Sequence, residues 1–151
     1  MGKTRSELRE IACKVLYTTY ILDNAKIEYD ISSLIKEEME LDNEFVEMLV
    51  NGVKKDQEKI NDLANKNLVG WEIDRLSKID KAILSVGIYE LMETDTPEIV
   101  AINEAIELSH KYSDDKVTNM INATLDKLYK EKIDKKWNKN EYQVLYNYRF
   151  K

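Results

Sequence analysis

Apolar residues recur three or four positions apart in one segment of this chain after another, the spacing that places them on one side of an α-helix. No segment shows the strict alternation of apolar and polar residues that is typical of a half-buried strand. Four glycines and one proline among 151 residues are also few for a fold that depends on many tight turns. The sequence therefore predicts an all-α fold, a single-domain compact bundle of about seven helices.

Residues that cap or break helices indicate where the predicted helices begin and end. Thr4 heads a capping box with Glu7, and Asn43 precedes the longest apolar stripe. Thr96 is expected to cap a helix whose first residue is Pro97. The predicted helices cover residues 5–22, 30–39, 44–67, 78–93, 97–112 and 114–131, with a short helical turn near Trp71.

Charge is distributed unevenly along the chain. The net charge is −6, yet basic residues predominate over residues 1–22 and again over residues 127–151. Such a distribution can steer an anion toward the two ends, although solvated faces without a binding role would give the same pattern. We divide the chain into a helical domain, residues 1–132, and a basic, aromatic C-terminal extension, residues 133–151.

The cellular compartment is indicated by cysteine content and hydropathy. Cys13 is the only cysteine, so no disulfide framework is expected, and a reducing cytoplasm is the predicted location. No apolar run approaches the roughly 18 residues of a membrane span. We therefore expect a cytoplasmic protein without a membrane partner.

Glu104, Glu107 and His110 follow one another at intervals of three, a spacing that carboxylate-bridged metal sites use. On a helical wheel, however, all three lie opposite the apolar arc and face water. A di-metal bundle also needs a second Glu-x-x-His motif, and the chain has a single histidine. We expect no metal and no cofactor here.

Other catalytic arrangements are equally weak. Cys13 has no histidine near it in the sequence and is better explained as a small core residue. The glycines Gly52, Gly70 and Gly87 stand apart from one another and form no phosphate-binding loop. The sequence therefore predicts a protein that is not an enzyme.

Three segments together resemble the NusB family of transcription antitermination factors. They are "REIACKVLY" at 9–17, "LSKIDKAILSVGIYEL" at 76–91, and "VAINEAIEL" at 100–108 followed by "LDKL" at 125–128. The resemblance extends over about residues 4 to 129, with the segments in the family's order. It implies an all-helical domain that binds boxA-type single-stranded RNA with the ribosomal protein NusE, within the antitermination complex of RNA polymerase. Members of the family occur as monomers or dimers, so a homodimer is a further partnership that the resemblance allows.

The resemblance also implies which residues bind RNA. Arg5 and Arg9 match arginines of the family's N-terminal segment, and Lys3 lies beside them. Asn122 matches an asparagine of the motif near residues 119–123, and Lys116 precedes that motif. The family's base-stacking aromatic in this motif is replaced by Met120.

An acidic face is expected to bind the basic partner protein NusE, through Glu90, Glu104 and Glu107. The C-terminal extension, rich in lysine and aromatic residues, could add RNA contacts or pack as an extra helix. Two alternative functions stay open: a protein–protein scaffold of the transcription complex with little RNA binding, and a helical metal or redox protein based on Glu107-x-x-His110.

Overall fold

Six α-helices and one 3-10 helix form the part of the chain that the structure describes. The computed structural model describes the backbone of residues 2–150 and the side chains of residues 2–134. The helices are α1 (Arg5–Asn24), α2 (Ile31–Glu38), α3 (Glu44–Asn67), α4 (Lys78–Glu93), α5 (Glu98–Tyr112) and α6 (Asp115–Phe150), with the 3-10 helix at Ile73–Arg75. The all-α prediction is confirmed. The number of α-helices is six rather than about seven, because the turn expected near Trp71 is a single 3-10 turn.

The helix starts follow local capping chemistry with one exception. The Thr4 hydroxyl accepts from the amide of Glu7 at 3.1 Å, and the Asn43 side chain accepts from an amide of α3 at 3.0 Å. The prediction for α5 is wrong by one residue, since Pro97 is the cap and Glu98 the first helical residue. Thr96 does not cap the helix, because its hydroxyl donates to the carboxylate of Glu90 at 2.8 Å instead.

Helix α4 lies at the centre of the bundle and contacts α1, α3, α5 and α6. Its sequence is apolar on nearly every side, as expected for a helix surrounded by others. Small residues let its neighbours approach closely: the Tyr89 ring packs directly against Gly52 of α3, and Leu125 of α6 packs against Gly87. The hydrophobic core therefore surrounds α4.

Contacts between helices fix their relative directions. Arg9 pairs with Glu90, whereas Tyr20 lies under Lys81, so α1 and α4 run antiparallel. Ser6 bonds Glu104 and Glu10 bonds Lys111, so α1 and α5 run in the same direction. Phe45 at the start of α3 contacts Arg5 at the start of α1. The starts of α1, α3 and α5 therefore meet the end of α4 at one end of the bundle, which we call the N-terminal end.

Helix α6 continues through the expected boundary between residues 132 and 133. The lysine and aromatic side chains of the proposed extension, from Lys135 onward, lie outside the described side chains. The division into a domain and an extension therefore stays a prediction.

Candidate nucleic-acid interface

A buried ion pair lies at the N-terminal end. Arg9 of α1 donates to both carboxylate oxygens of Glu90 of α4, through Nε at 2.6 Å and Nη2 at 2.9 Å. Arg9 is 4% exposed and Glu90 is 1% exposed. Thr96 donates a further hydrogen bond to the same carboxylate. Bidentate geometry with a third donor is the arrangement in which a buried pair offsets its desolvation cost.

The position of this pair corrects two expectations. Glu90 was expected on an exposed acidic face, and Arg9 was expected to hold RNA phosphates with Lys3 and Arg5. Both side chains are instead buried and neutralise each other, so neither presents a free charge to a ligand. The signal for this was present in the sequence, since Arg9 falls on the apolar arc of α1 beside Leu16.

Lys3 and Arg5 are exposed cations at the N-terminal end. The guanidinium of Arg5 lies 4.0 Å from the centroid of the Phe45 ring, at the start of α3. The Arg9 guanidinium lies 5.2 Å from the same ring, so the ring is in contact with both arginines. A guanidinium stacked on a ring keeps its N–H groups free in the ring plane, where they can bind phosphate. Sequence reasoning missed the contribution of Phe45, which reads there only as a core residue.

Glu104 and Glu107 lie on α5 beside this end. The Glu104 carboxylate accepts from the Ser6 hydroxyl at 2.8 Å and lies 3.9 Å from Nη1 of Arg9. Glu107 and His110 are exposed, as the helical wheel predicted. Within the described side chains, no group of three His, Cys, Asp or Glu residues is placed to hold a metal ion.

A second group of polar contacts joins α1 and α5 nearer the C-terminal end of α5. Lys111 donates to both carboxylate oxygens of Glu10, at 2.6 and 2.7 Å, and the Tyr112 hydroxyl donates to the same group at 2.9 Å. The hydrogen bond from Lys111 lowers the pKa of Glu10. Burial, together with the hydrogen bond to Glu10, raises the pKa of Tyr112 to about 12. These contacts hold α5 in register with α1.

Lys116 and Asn122 lie apart from the N-terminal end, on the exposed side of α6. The Nζ atom of Lys116 lies 5.4 Å from the centroid of the Trp71 ring. Helix α3 rises about 30 Å between Phe45 and Asn65, whose side chain bonds the backbone of Ile73 close to Trp71. Lys3 and Arg5 are neighbours in the chain, but Lys3 borders a cavity beside the α2–α3 connection and Arg5 borders a different one beside Phe45. Lys116 lies near the opposite end of α3, and Asn122 lies further along α6.

The thiol of Cys13 is fully buried in α1. Burial raises the pKa of this thiol, and the charges of Glu90 and Glu10 add to the effect. A thiol without access to solvent and with little thiolate is unsuited to nucleophilic chemistry.

The helical architecture, with α1, α3, α5 and α6 packed around α4, defines a class, the all-helical bundle proteins. Within that class, the model of the NusB family matches residues 6–130, and the chain belongs to the NusB family. Among the described residues, no helix has both the length and the apolar character of a membrane span.

Individual relatives agree with this assignment. The transcription antitermination protein NusB of Acetivibrio thermocellus is 39% identical over 135 residues, which are 88% of this chain and 92% of the relative. The solved structure of T. maritima NusB superposes with a TM-score of 0.74 at 28% identity, covering 87% of this chain and 94% of that one. The structure of the antitermination factors NusB and NusE in complex with dsRNA gives a TM-score of 0.69 at 25% identity, covering 87% of this chain and 99% of the other.

Proposed function

We propose that this protein is a cytoplasmic transcription antitermination factor that binds boxA-type single-stranded RNA together with the ribosomal protein NusE and helps RNA polymerase read through terminators. The proposal is carried by the similarity to antitermination proteins over almost their whole length; a NusB of similar structure has been solved with NusE and double-stranded RNA. The protein acts by binding, without catalysis of its own.

The geometry supports RNA binding by Lys3 and Arg5 at the N-terminal end. Both side chains are exposed, and the stack on Phe45 fixes the orientation of the Arg5 guanidinium. Arg9 contributes indirectly, since its bonds to Glu90 hold the first two turns of α1 against α4. Lys116 and Asn122 supply a second group of RNA contacts on α6.

Partner binding is assigned to Glu104 and Glu107 rather than to the buried Glu90. Glu107 is exposed and presents its charge to solvent. The side chain of Glu104 is 25% exposed. An exposed acidic face speeds the approach of a basic protein and selects it over acidic ones. This favours a basic partner such as NusE on the α5 side of the N-terminal end.

The test is fluorescence anisotropy with labelled boxA-type RNA, with and without NusE, at several salt concentrations. We expect binding that is specific relative to a scrambled RNA, tighter in the presence of NusE, and weakened by salt. Each phosphate contact contributes a slope of roughly 0.7 in log affinity against log salt for a single strand. Absence of RNA binding in the presence of NusE would overturn the proposal.

A second function, a protein scaffold with little RNA binding, is favoured by two particular observations. Arg9 is unavailable to phosphates because it is buried against Glu90, and Met120 stands where the family's stacking ring is expected. A scaffold would bind NusE with unchanged affinity whether or not RNA is present, and any RNA binding would show a flat salt dependence. The same titration therefore distinguishes the two functions.

A further inference from the structure

The contact between Trp71 and Lys116 joins two parts of the chain that the functional assignment has not connected. Trp71 follows α3 and is partly exposed, and Lys116 in the first turn of α6 lies over its ring at 5.4 Å. A cation above an aromatic face marks the face as accessible from solvent, since an exposed ammonium reaches it. Trp71 is half-buried against the hydrophobic core, and the part of the ring that faces Lys116 is accessible from outside the bundle.

The local backbone holds this ring in place. Gly70 has a φ of +76°, a left-handed conformation that turns the chain sharply just before Trp71. Two residues later, the amide of Ile73 donates to the side chain of Asn65 at 2.8 Å, which fastens the connection to α3. Together with the packing of Trp71 against the core, these contacts hold the ring in place, as a stacking surface requires.

One exposed stripe of α6 begins beside this ring and carries side chains that can bind a polyanion. Lys116 and Lys127 are three helical turns apart on the same side of α6, about 16 Å along its axis. Between them the stripe carries the exposed residues Asn119 and Ala123, which are uncharged, and Asn122 lies at its edge.

Three acidic groups near this stripe have partners of their own, whereas Asp115, beside Lys116, is exposed. Asp114 caps α6 by accepting from the amide of Val117 at 2.9 Å. Glu72 lies 3.5 Å from Arg75, and Asp126 lies 2.9 Å from Lys130. Their charges are partly compensated, so they oppose an anion on the stripe less than free carboxylates would.

We propose that Trp71, Lys116 and Lys127 form a subsite for single-stranded RNA, in which a base stacks on the Trp71 ring and the two lysines hold phosphates. The subsite rests on the proposed function and deepens it by adding a stacking residue that lies outside the α6 motif. Met120 leaves that motif without a ring, and Trp71 supplies one from the neighbouring connection. On RNA binding, the Lys116 ammonium moves from the ring face to a phosphate, because base stacking on an aromatic ring is stronger than an exposed cation–π contact.

The subsite is tested by tryptophan fluorescence and RNA affinity together. Trp71 and Trp137 are the two tryptophans, so the Trp137→Phe variant leaves Trp71 as the only reporter. We expect its fluorescence to be quenched as boxA-type RNA is added with NusE, over the same concentrations as the anisotropy change. Trp71→Leu should weaken RNA binding about 5- to 150-fold, whereas Trp71→Tyr, which retains a stacking ring, should stay close to the parent.

Lysine variants provide a matched comparison. Lys127→Ala should reduce the salt slope by about 0.7, whereas Lys55→Ala, at a lysine that is also exposed but lies on α3, should leave it unchanged. RNA binding without quenching, and with Trp71→Leu equal to the parent, would overturn the subsite while leaving the proposed function intact. Absence of RNA binding by the parent protein would overturn both. If Trp71→Leu fails to fold by circular dichroism, the quenching experiment and Trp71→Tyr decide the question.

Discussion

Arg9 and Glu90 are 81 residues apart in the sequence, and in the folded chain their side chains are joined by two hydrogen bonds of 2.6 and 2.9 Å. Each is a charged residue among the mostly apolar buried side chains of its helix. The pair therefore fixes how α1 lies against α4, and with it the position of Lys3 and Arg5 at the start of α1.

Breaking this pair should destabilise the fold strongly. Glu90→Ala leaves the Arg9 guanidinium buried without its counter-charge, which costs about 3–5 kcal/mol of unfolding free energy. Urea denaturation followed by circular dichroism measures the loss. The double variant Arg9→Met, Glu90→Leu should be more stable than Glu90→Ala alone, because it removes both charges. Equal stability of Glu90→Ala and the parent protein would contradict the role of the pair.

Arg5→Ala should reduce RNA binding with little effect on stability. The side chain is exposed and its one described contact is the stack on Phe45, so the unfolding free energy should fall by only about 0.5–1 kcal/mol. Loss of one phosphate contact should lower the salt slope by roughly 0.7. Anisotropy titrations over a range of salt measure both effects, with Lys55→Ala as the control. An unchanged slope would remove Arg5 from the RNA site.

Glu107→Lys should slow association with NusE. The exposed carboxylate adds to the attraction of a basic partner, and reversing its charge turns that attraction into repulsion. Stopped-flow or surface plasmon resonance should show a lower association rate at low salt and a smaller difference at high salt. Glu58→Lys is the control, because it makes the same charge change at an exposed residue of α3. Equal effects of the two variants would mean that net charge, rather than this face, governs the approach.

Glu10→Gln should show a stability loss that depends on pH. Lys111 holds the pKa of Glu10 below its ordinary value of 4.5, so the contact stabilises the folded chain fully above that pH. The contribution is lost as the pH falls through the lowered folded-state pKa. Lys111 is largely exposed, so we expect about 1 kcal/mol or less at neutral pH and no difference in strongly acidic solution. Thermal unfolding of both proteins across this range measures it, and a difference independent of pH would point to packing instead of charge.

Local signals were sufficient to predict most of the fold. Apolar spacing and the caps Thr4 and Asn43 placed α1 and α3 within a few residues, because both signals act within one or two turns of a helix. The start of α5 was misplaced because Thr96 has a competing acceptor in Glu90, which is distant in the sequence. Capping preference is a local property, and the competing bond exists only in the folded bundle.

The site was less predictable for the same reason. A helical wheel correctly predicted that Glu107 and His110 are exposed, because the direction of a side chain around its own helix depends on that helix alone. It could not show that Arg9 and Glu90 would meet, or that Trp71 would lie beneath Lys116, because those contacts depend on how separate helices pack. An arginine on the apolar arc of α1 was nevertheless a usable warning that its charge would need a buried partner.

Ser6, adjacent to Arg5, holds the carboxylate of Glu104 at 2.8 Å. One turn of α1 therefore belongs both to the surface assigned to the transcript and to the surface assigned to the companion protein. If a bound transcript strengthens the binding of the companion protein by some free energy, a bound companion must strengthen the binding of the transcript by the same amount. The order of arrival can alter the kinetics of assembly, whereas the stability of the finished ternary complex is the same by either route.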